Sequence, residues 1–502
     1  MIRRALAFAS AALALAAAVA LLRSGRESEG PGAALDARVR AACSGCHAFP
    51  PPDVLPRGVW RSQIEHMAFL ATYLSKPAPA GPDLPLDEIV AWYEARAPES
   101  LPFERALTRD EPGPLAFRRR SILLREKGGP GVATVERVDP AVLPSLAPQV
   151  AAPHMANGSL HLFSLRRGPR WIGDAGHPAR IAAGDLDRDG RIDLVVSDLG
   201  NPMPTDDPVG RVVVARNAGE GRFELTPVLE GVGRVADAKP LDLDGDGDQD
   251  LVAAAFGWMR SGGIFALWNE TPPGGALRFR AQTVSPRAGA VSVVPLADSG
   301  PGFAVAFSQQ HELVSAFRPA REGFEERELW RAPHPNWGTS HLSAADLEGD
   351  GDQDFLLAHG DTLDDGVAFK PWHGVEWLEN RGTEGFAARR VGALYGAHAA
   401  EAADLDGDGD LDVVACGFLP QVELPVRQGP ARVDSIVWFE RRGVEWIPWA
   451  IEINHPRHTG LTVVDLDQDG RLDVVAAINR AWDVTAIESG PSLEVWFNRG
   501  RD

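Results

Sequence analysis

Five consecutive residues near the N-terminus carry the most specific chemistry in the chain: Cys43, Ser44, Gly45, Cys46 and His47. Two thiols with two residues between them can add to the two vinyl groups of a haem, and the adjoining imidazole can then reach the iron. A zinc half-site would need a second ligand pair. The only other cysteine, Cys416, lies far away in the apolar run VVACGF, where it reads as a core thiol. The expectation is haem c bound covalently by Cys43 and Cys46, with His47 as an axial ligand. Met67, the one methionine of this region, is favoured for the sixth position; His66 or an open position are the alternatives.

A second set of chemical groups recurs along the chain in five acidic loops. Their first, third, fifth and ninth positions are Asp185, Asp187, Asp189 and Asp193; Asp242, Asp244, Asp246 and Asp250; Asp346, Glu348, Asp350 and Asp354. The last two loops offer Asp404, Asp406, Asp408 and Asp412, then Asp465, Asp467, Asp469 and Asp473. With a glycine at the sixth position for the turn and a backbone carbonyl at the seventh, this is the oxygen-rich, flexible cage that Ca2+ prefers. It departs from an EF-hand because the loop closes with Asp at nine rather than Glu at twelve. Metal-free turns held by Asx-type hydrogen bonds are the simpler alternative, and the Glu348 loop, with its longer second ligand, suits them best. These twenty carboxylates match the whole formal charge of −20. That acid surplus argues against a nucleic-acid partner, which needs clustered Lys and Arg.

Histidines gather before the loops. His177, His341, His398 and His458 each precede an acidic loop by five to eight residues. A long segment, residues 360–373, adds Asp361, Asp364, Lys370 and His373, a mixture suited to acid–base or ligand chemistry. These residues form the candidate substrate face.

Positioning elements follow from periodicity. Leu35, Val39 and Ala42 recur at helical spacing before Cys43; Trp60, Ile64, Met67 and Leu74 mark a second helix; residues 86–96, after Pro85, mark a third. Beyond them, each acidic loop precedes an apolar strand such as LVVSDL or LVAAAF. A strand ending in an aromatic and a turn then follows, as in VEWLENRG or LEVWFNRG, and after it a further short strand. Four short strands per repeat make a propeller blade. Loop-to-loop spacings are 57, 104, 58 and 61, so one degenerate copy fits inside the long gap, at residues 293–307. Another precedes the first loop at 132–143. Seven blades are expected over residues 113–502, with 115–124 supplying the missing outer strand of the last and closing the ring.

Residues 1–30 hold Arg3 and Arg4, an uninterrupted apolar run from Ala5 to Leu22, and Arg23 and Arg26. They read as a cleaved secretory signal or a retained membrane anchor, the run being near the minimum length for a span. Either places the rest of the chain outside the cytoplasm, in the periplasm or an equivalent compartment, with attachment to the inner membrane in the second case. A helical haem domain then covers 31–98, and 99–112 is expected as a linker.

Two resemblances follow. The three short helices around CxxCH resemble a small class I-like cytochrome c domain, although Met67 comes early for that pattern. The acidic loops with their strands resemble FG-GAP/VCBS-type repeats, whose relatives include the integrin α propeller. The combination resembles an uncharacterised family of bacterial exported proteins. It implies an all-β seven-bladed propeller behind a small all-α domain, with electron transfer at haem c and calcium in the propeller. The partner would be an electron donor or acceptor protein, or a small-molecule reductant. A haem-linked oxidoreductase is one outcome; an adhesion or binding propeller with the haem as accessory redox module is the alternative.

Overall fold

The computed structural model describes residues 31–74, 84–124, 130–138, 141–147, 149–297, 300–363, 365–422, 429–480 and 490–501. Residues 1–30, where a signal or anchor is expected, and Asp364 lie outside these. No helix among the described residues is long and apolar enough to cross a membrane. The chain divides into two units, 1–99 and 100–502.

The first unit holds three helices: α1 (Pro31–Cys43), α2 (Trp60–Tyr73) and α3 (Leu86–Glu94). Pro85 precedes α3 in an extended conformation, and Asp87 and Glu88 place negative charge at its positive end. Its other end is tied down by Arg57, whose Nε donates to the Glu94 carbonyl at 3.0 Å and whose Nη2 donates to the Ala97 carbonyl at 3.3 Å. The Glu94 carbonyl is one that the last helical turn leaves without a partner, and Ala97 lies just beyond the helix. The core consists of Val39, Trp60, Ile64, Ile89, Val90, Trp92 and Tyr93. Trp60 and Tyr93 stack with centroids 4.0 Å apart.

The second unit is a seven-bladed β-propeller. Its seven sheets each have four antiparallel strands in sequence order from inside to outside, with one exception. Blades 1 to 6 span 136–174, 178–232, 235–285, 290–331, 339–393 and 397–453. Blade 7 takes three strands from 461–501, and its outer strand is Leu115–Ile122. That strand pairs with Leu493–Arg501, from Leu115 opposite Arg501 to Ile122 opposite Leu493. The ring is closed by joining its two ends within one sheet, as the sequence pattern predicts.

Burial explains the residue types. Second strands such as Asp193–Asp198 and Asp250–Ala255 are buried at every position, because both of their faces meet a neighbouring blade. Outer strands such as Phe324–Arg331 are mostly exposed and carry the charge. Blade 4, the degenerate copy without an acidic loop, packs Phe303, Phe307 and Phe317 against Val252, Ala254 and Ile264 of blade 3.

Residues 100–112, expected as a linker, are laid along the propeller. The Glu104 amide donates to the Tyr395 hydroxyl at 2.7 Å, and Thr108 Oγ1 donates to Asp434 at 3.0 Å. Arg432 donates to the Thr108 carbonyl at 2.8 Å. The buried Asp434 carboxylate of blade 6 and the buried Tyr395, in the connection between blades 5 and 6, need polar partners, and this segment supplies them.

Candidate functional site

In the helical unit, α1 ends at Cys43, half-buried, and Cys46 follows it exposed; both thiols are free. Burial pushes the Cys43 thiol above its ordinary range, so it is held as S–H rather than thiolate. His47 Nδ1 lies 2.7 Å from the Ala48 carbonyl, which places the ring proton on Nδ1 and leaves the Nε2 lone pair available. Burial also lowers the His47 pKa, favouring the neutral ring. The proline-rich loop after it is pinned by Tyr93, donating to the Pro50 carbonyl at 3.0 Å, and by Trp60, donating to the Pro52 carbonyl at 2.9 Å. On α2 the inward stripe is Trp60, Ile64, Met67 and Ala71. Three of these are 3 to 5 % exposed, but Met67 is 37 % exposed. A thioether on the apolar stripe thus stays accessible. His66 leaves the stripe and stacks on the exposed Phe69. The donor set of Cys43, Cys46, His47 and Met67 fits covalent haem with two axial ligands; His66 does not share that face.

The five acidic loops each join a blade's first strand to its second. In all five, the first-position carboxylate accepts the amide of the sixth-position glycine at 3.0–3.1 Å. That glycine has φ between 82° and 100°, a region closed to most side chains. Ligand atoms of Asp185, Asp187 and Asp193 lie within 4.8 Å of one another, as do those of Asp242, Asp244 and Asp246, of Asp346, Glu348 and Asp354, and of Asp404, Asp406 and Asp408. Asp187 Oδ2 and Asp467 Oδ1 are buried without a hydrogen bond. This donor chemistry fits Ca2+.

The loops are not equivalent, which the sequence did not reveal. Arginines from the third strand and its turn reach into three of them: Arg216 to Asp187 at 3.6 Å, Arg499 to Asp467 at 2.8 Å, and Arg501 to Asp406. In the loops that begin at Asp242 and Asp346, the first-, third- and fifth-position carboxylates have no such partner among the described contacts. Burial, with Asp354 close by, pushes Glu348 up to about 7. Two carboxyls so close must share a proton or a cation, so the loop expected to be the poorest cage has one of the strongest demands for positive charge.

The ninth-position carboxylate has a further job that sequence reasoning missed. Each one accepts two backbone amides, one from the loop's second residue and one from the end of the third strand, as in Asp250 with Leu243 at 3.0 Å and Asn269 at 2.7 Å. In blades 3 and 7 that residue is an asparagine whose side chain donates to the preceding blade: Asn269 to the Leu186 carbonyl at 2.9 Å, Asn498 to the Leu405 carbonyl at 2.8 Å. Asn217 makes the same reach to the Val142 carbonyl at 2.9 Å. Burial pushes Asp193, Asp250 and Asp473 up to about 6 and Asp412 up to about 7. The recurrent Asn that ends the third strand, as in LWN and WFN, was the available signal. Removing such a bolt leaves buried groups unpaired. Asn269→Ala is expected to cost about 2–3 kcal/mol in urea unfolding. Asn380→Ala, whose side chain bonds only within its own blade, to Gln353 and Gly382, is expected to cost about 1 kcal/mol.

The candidate substrate face resolves into separate groups. His341 and His398 lie on the inner strands of blades 5 and 6. Burial, with Arg180 and Lys239 nearby, drives the His341 pKa well down; burial lowers that of His398 while Asp361 opposes it. Glu401, on the same inner strand as His398, is pushed up to about 7 by burial and by Glu136. This ring of groups from several blades is the part of the face that converges. Lys370 is instead consumed in a buried ion pair with Asp365 at 2.7 Å. His373 is fully buried, and near it Trp337 stacks on His359 and Trp372 packs on His334. His177 is held apart, its Nδ1 2.9 Å from the Met155 carbonyl. His458 lies with Glu452, His455 and Glu494. The face therefore offers a basic-and-acidic inner ring, with the other groups turned inward by the need to pair buried polar atoms.

No known family pattern matches the chain, and no curated protein matches its sequence. Solved structures share the architecture. A catalytically inactive virginiamycin B lyase from Staphylococcus aureus, with quinupristin, is 9 % identical with a TM-score of 0.47 over 76 % of this chain and 99 % of that one. BBS1N in complex with ARL6DN is 8 % identical, with a TM-score of 0.46 over 77 % and 98 %. The N-terminal domain of Nup159 is 11 % identical, with a TM-score of 0.40 over 79 % and 97 %. This chain is a seven-bladed β-propeller preceded by a small helical unit, and the likeness extends no further than the propeller fold.

Proposed function

We propose that this protein is an exported c-type cytochrome whose electron-transfer unit, residues 31–98, is coupled to a calcium-binding propeller of the FG-GAP/VCBS type that selects the partner. One observation carries the reading: two free thiols at CxxC spacing stand beside an imidazole whose Nδ1 is committed to a backbone carbonyl. Cys43 and Cys46 would hold haem c, His47 and Met67 would supply its axial ligands, and the group would exchange single electrons. The surrounding residues set its environment. The buried stack of Trp60 on Tyr93 and the loop 48–56 that they pin would supply an apolar wall, and the exposed Cys46 would mark an edge open to a partner. The N-terminal basic and apolar run supports export to the periplasm, where haem attachment belongs, with retention at the inner membrane as the alternative. The inner ring of His341, His398 and Glu401 supports a propeller that binds a polar partner or substrate. The net acidity of the chain does not suit nucleic acid.

The experiment is a screen of small-molecule reductants and exported electron carriers against the purified haem protein, read as haem reduction. Reduction by one class that is lost without the propeller supports the reading. Tight binding of a protein or glycan by the propeller, with no reductant found, would favour an adhesion module instead.

Calcium is expected to brace the acidic loops, foremost those beginning at Asp242 and Asp346. Removing it with EGTA should lower the thermal midpoint, and Ca2+ should restore it. A site held at a hundredfold excess over its Kd contributes about 2.7 kcal/mol. An unchanged midpoint would sink the calcium assignment.

A further inference from the structure

Two histidines and two glutamates meet at the seam beside the blade that closes the ring. Glu452, His455, His458 and Glu494 each offer a ligand atom, and these atoms all lie within 4.8 Å of one another. Glu452 is near the end of Glu445–Ile453, the outer strand of blade 6. Asn454 follows in the left-handed region, φ 59°, and reverses the chain so that His455 and His458 return over it. Glu494 arrives from Leu493–Arg501, the third strand of blade 7.

Hydrogen bonds aim the set. His458 Nδ1 lies 3.0 Å from the Ala477 carbonyl, which puts the proton there and turns Nε2 toward Glu452 Oε2, 2.6 Å away. That is how proteins commonly orient a ligating imidazole. A proton on Nε2 would satisfy this one contact, but it leaves the rest unexplained. Glu494 is 4 % exposed. Its Oε1 accepts from Ser121 at 3.1 Å, while Oε2 is buried without a hydrogen bond. His455 Nδ1, also without one, lies 3.9 Å from that oxygen and 3.5 Å from Glu452 Oε1. Arg119 faces the group from the closing strand, 3.1 Å from Glu452, but its side chain is 56 % exposed and can turn to solvent.

We propose that Glu452, His455, His458 and Glu494 bind one divalent transition-metal ion, Zn2+ by preference. Two imidazole nitrogens and two carboxylate oxygens make a closed four-ligand set, the pattern of a structural zinc site. Ca2+ would refuse the nitrogens. The ion would staple blade 6 to blade 7 beside the strand that closes the ring.

The test uses the full-length haem protein, stripped with a chelator, resaturated with excess Ca2+ and titrated with Zn2+. One zinc per chain is expected, with X-ray absorption showing nitrogen and oxygen neighbours at about 2.0 Å and no sulfur. His458→Gln and Glu494→Gln should weaken binding beyond the 10- to 100-fold that follows loss of an outer-shell partner. Arg119→Ala, which leaves all four ligands in place, should bind zinc at least as tightly as the unaltered protein. No stoichiometric zinc in the unaltered protein and in Arg119→Ala, or equal affinity in the two ligand variants with their β-sheet spectrum intact, would overturn the proposal.

Discussion

The double substitution Cys43→Ala, Cys46→Ala is expected to abolish iron and visible absorbance in protein purified from a host that attaches haem c, while the propeller still folds. The unaltered protein should carry one haem that survives denaturation and acidic solvent extraction, because thioether bonds do not depend on the fold. The effect is all-or-none, since the two thiols are the only ones in the helical unit. His47→Ala should keep the covalent group but lose the low-spin spectrum. Met67→Ala should lose the near-infrared sulfur–iron band and lower the reduction potential, methionine being the ligand that raises it. His66→Ala should change neither, because that ring stacks on Phe69 away from the Met67 stripe. Wild-type iron content in the double cysteine variant would end the haem assignment.

Replacing the closing strand Leu115–Ile122 by an equally long Gly/Ser segment is expected to be nearly as severe for the propeller. Leu115 and Ile122 are 7 % and 6 % exposed; Phe117 packs into the cluster of Leu115, and Ile122 into a second one with Phe163 and Val464. Losing their burial removes on the order of 3–6 kcal/mol, comparable to the net stability of many domains. It also uncovers the hydrogen-bonding edge of Leu493–Arg501, an invitation to intermolecular pairing. Calorimetry should show a large fall in the unfolding midpoint, and sedimentation should show association. A peptide of residues 113–124 added in trans should partly reverse both. A variant that remained monomeric with an unchanged midpoint would mean that the blade closes without this strand.

Features spelled out by neighbouring residues were legible in the chain. CxxCH is five residues long, and its chemistry depends on one turn of backbone. The acidic loops announce themselves because a sixth-position glycine and first-position carboxylate form the same turn wherever they occur. The closing strand could be inferred because seven repeats left one outer strand short and one strand spare. The histidine face was harder to read. Position before a loop places His341 and His398 on inner strands, but nothing in the segment 360–373 shows that Lys370 turns inward to Asp365. Such pairing is decided by the cost of burying an unpartnered charge.

By itself, the sequence determined the CxxCH spacing, the propeller and the acidic turns, since each rests on local geometry or on a periodic pattern. Tertiary structure decided which carboxylates meet an arginine, as Asp187 meets Arg216 and Asp406 meets Arg501. It also decided that the loop-closing aspartates of blades 2, 3 and 7 hold asparagines that bolt those blades to the ones before. Glu452, His455 and His458 stand at a readable spacing of three, yet their fourth companion, Glu494, comes from the next blade and is delivered by ring closure. Contacts of that kind depend on strand register and on how closely two blades pack, and a short stretch of chain encodes neither.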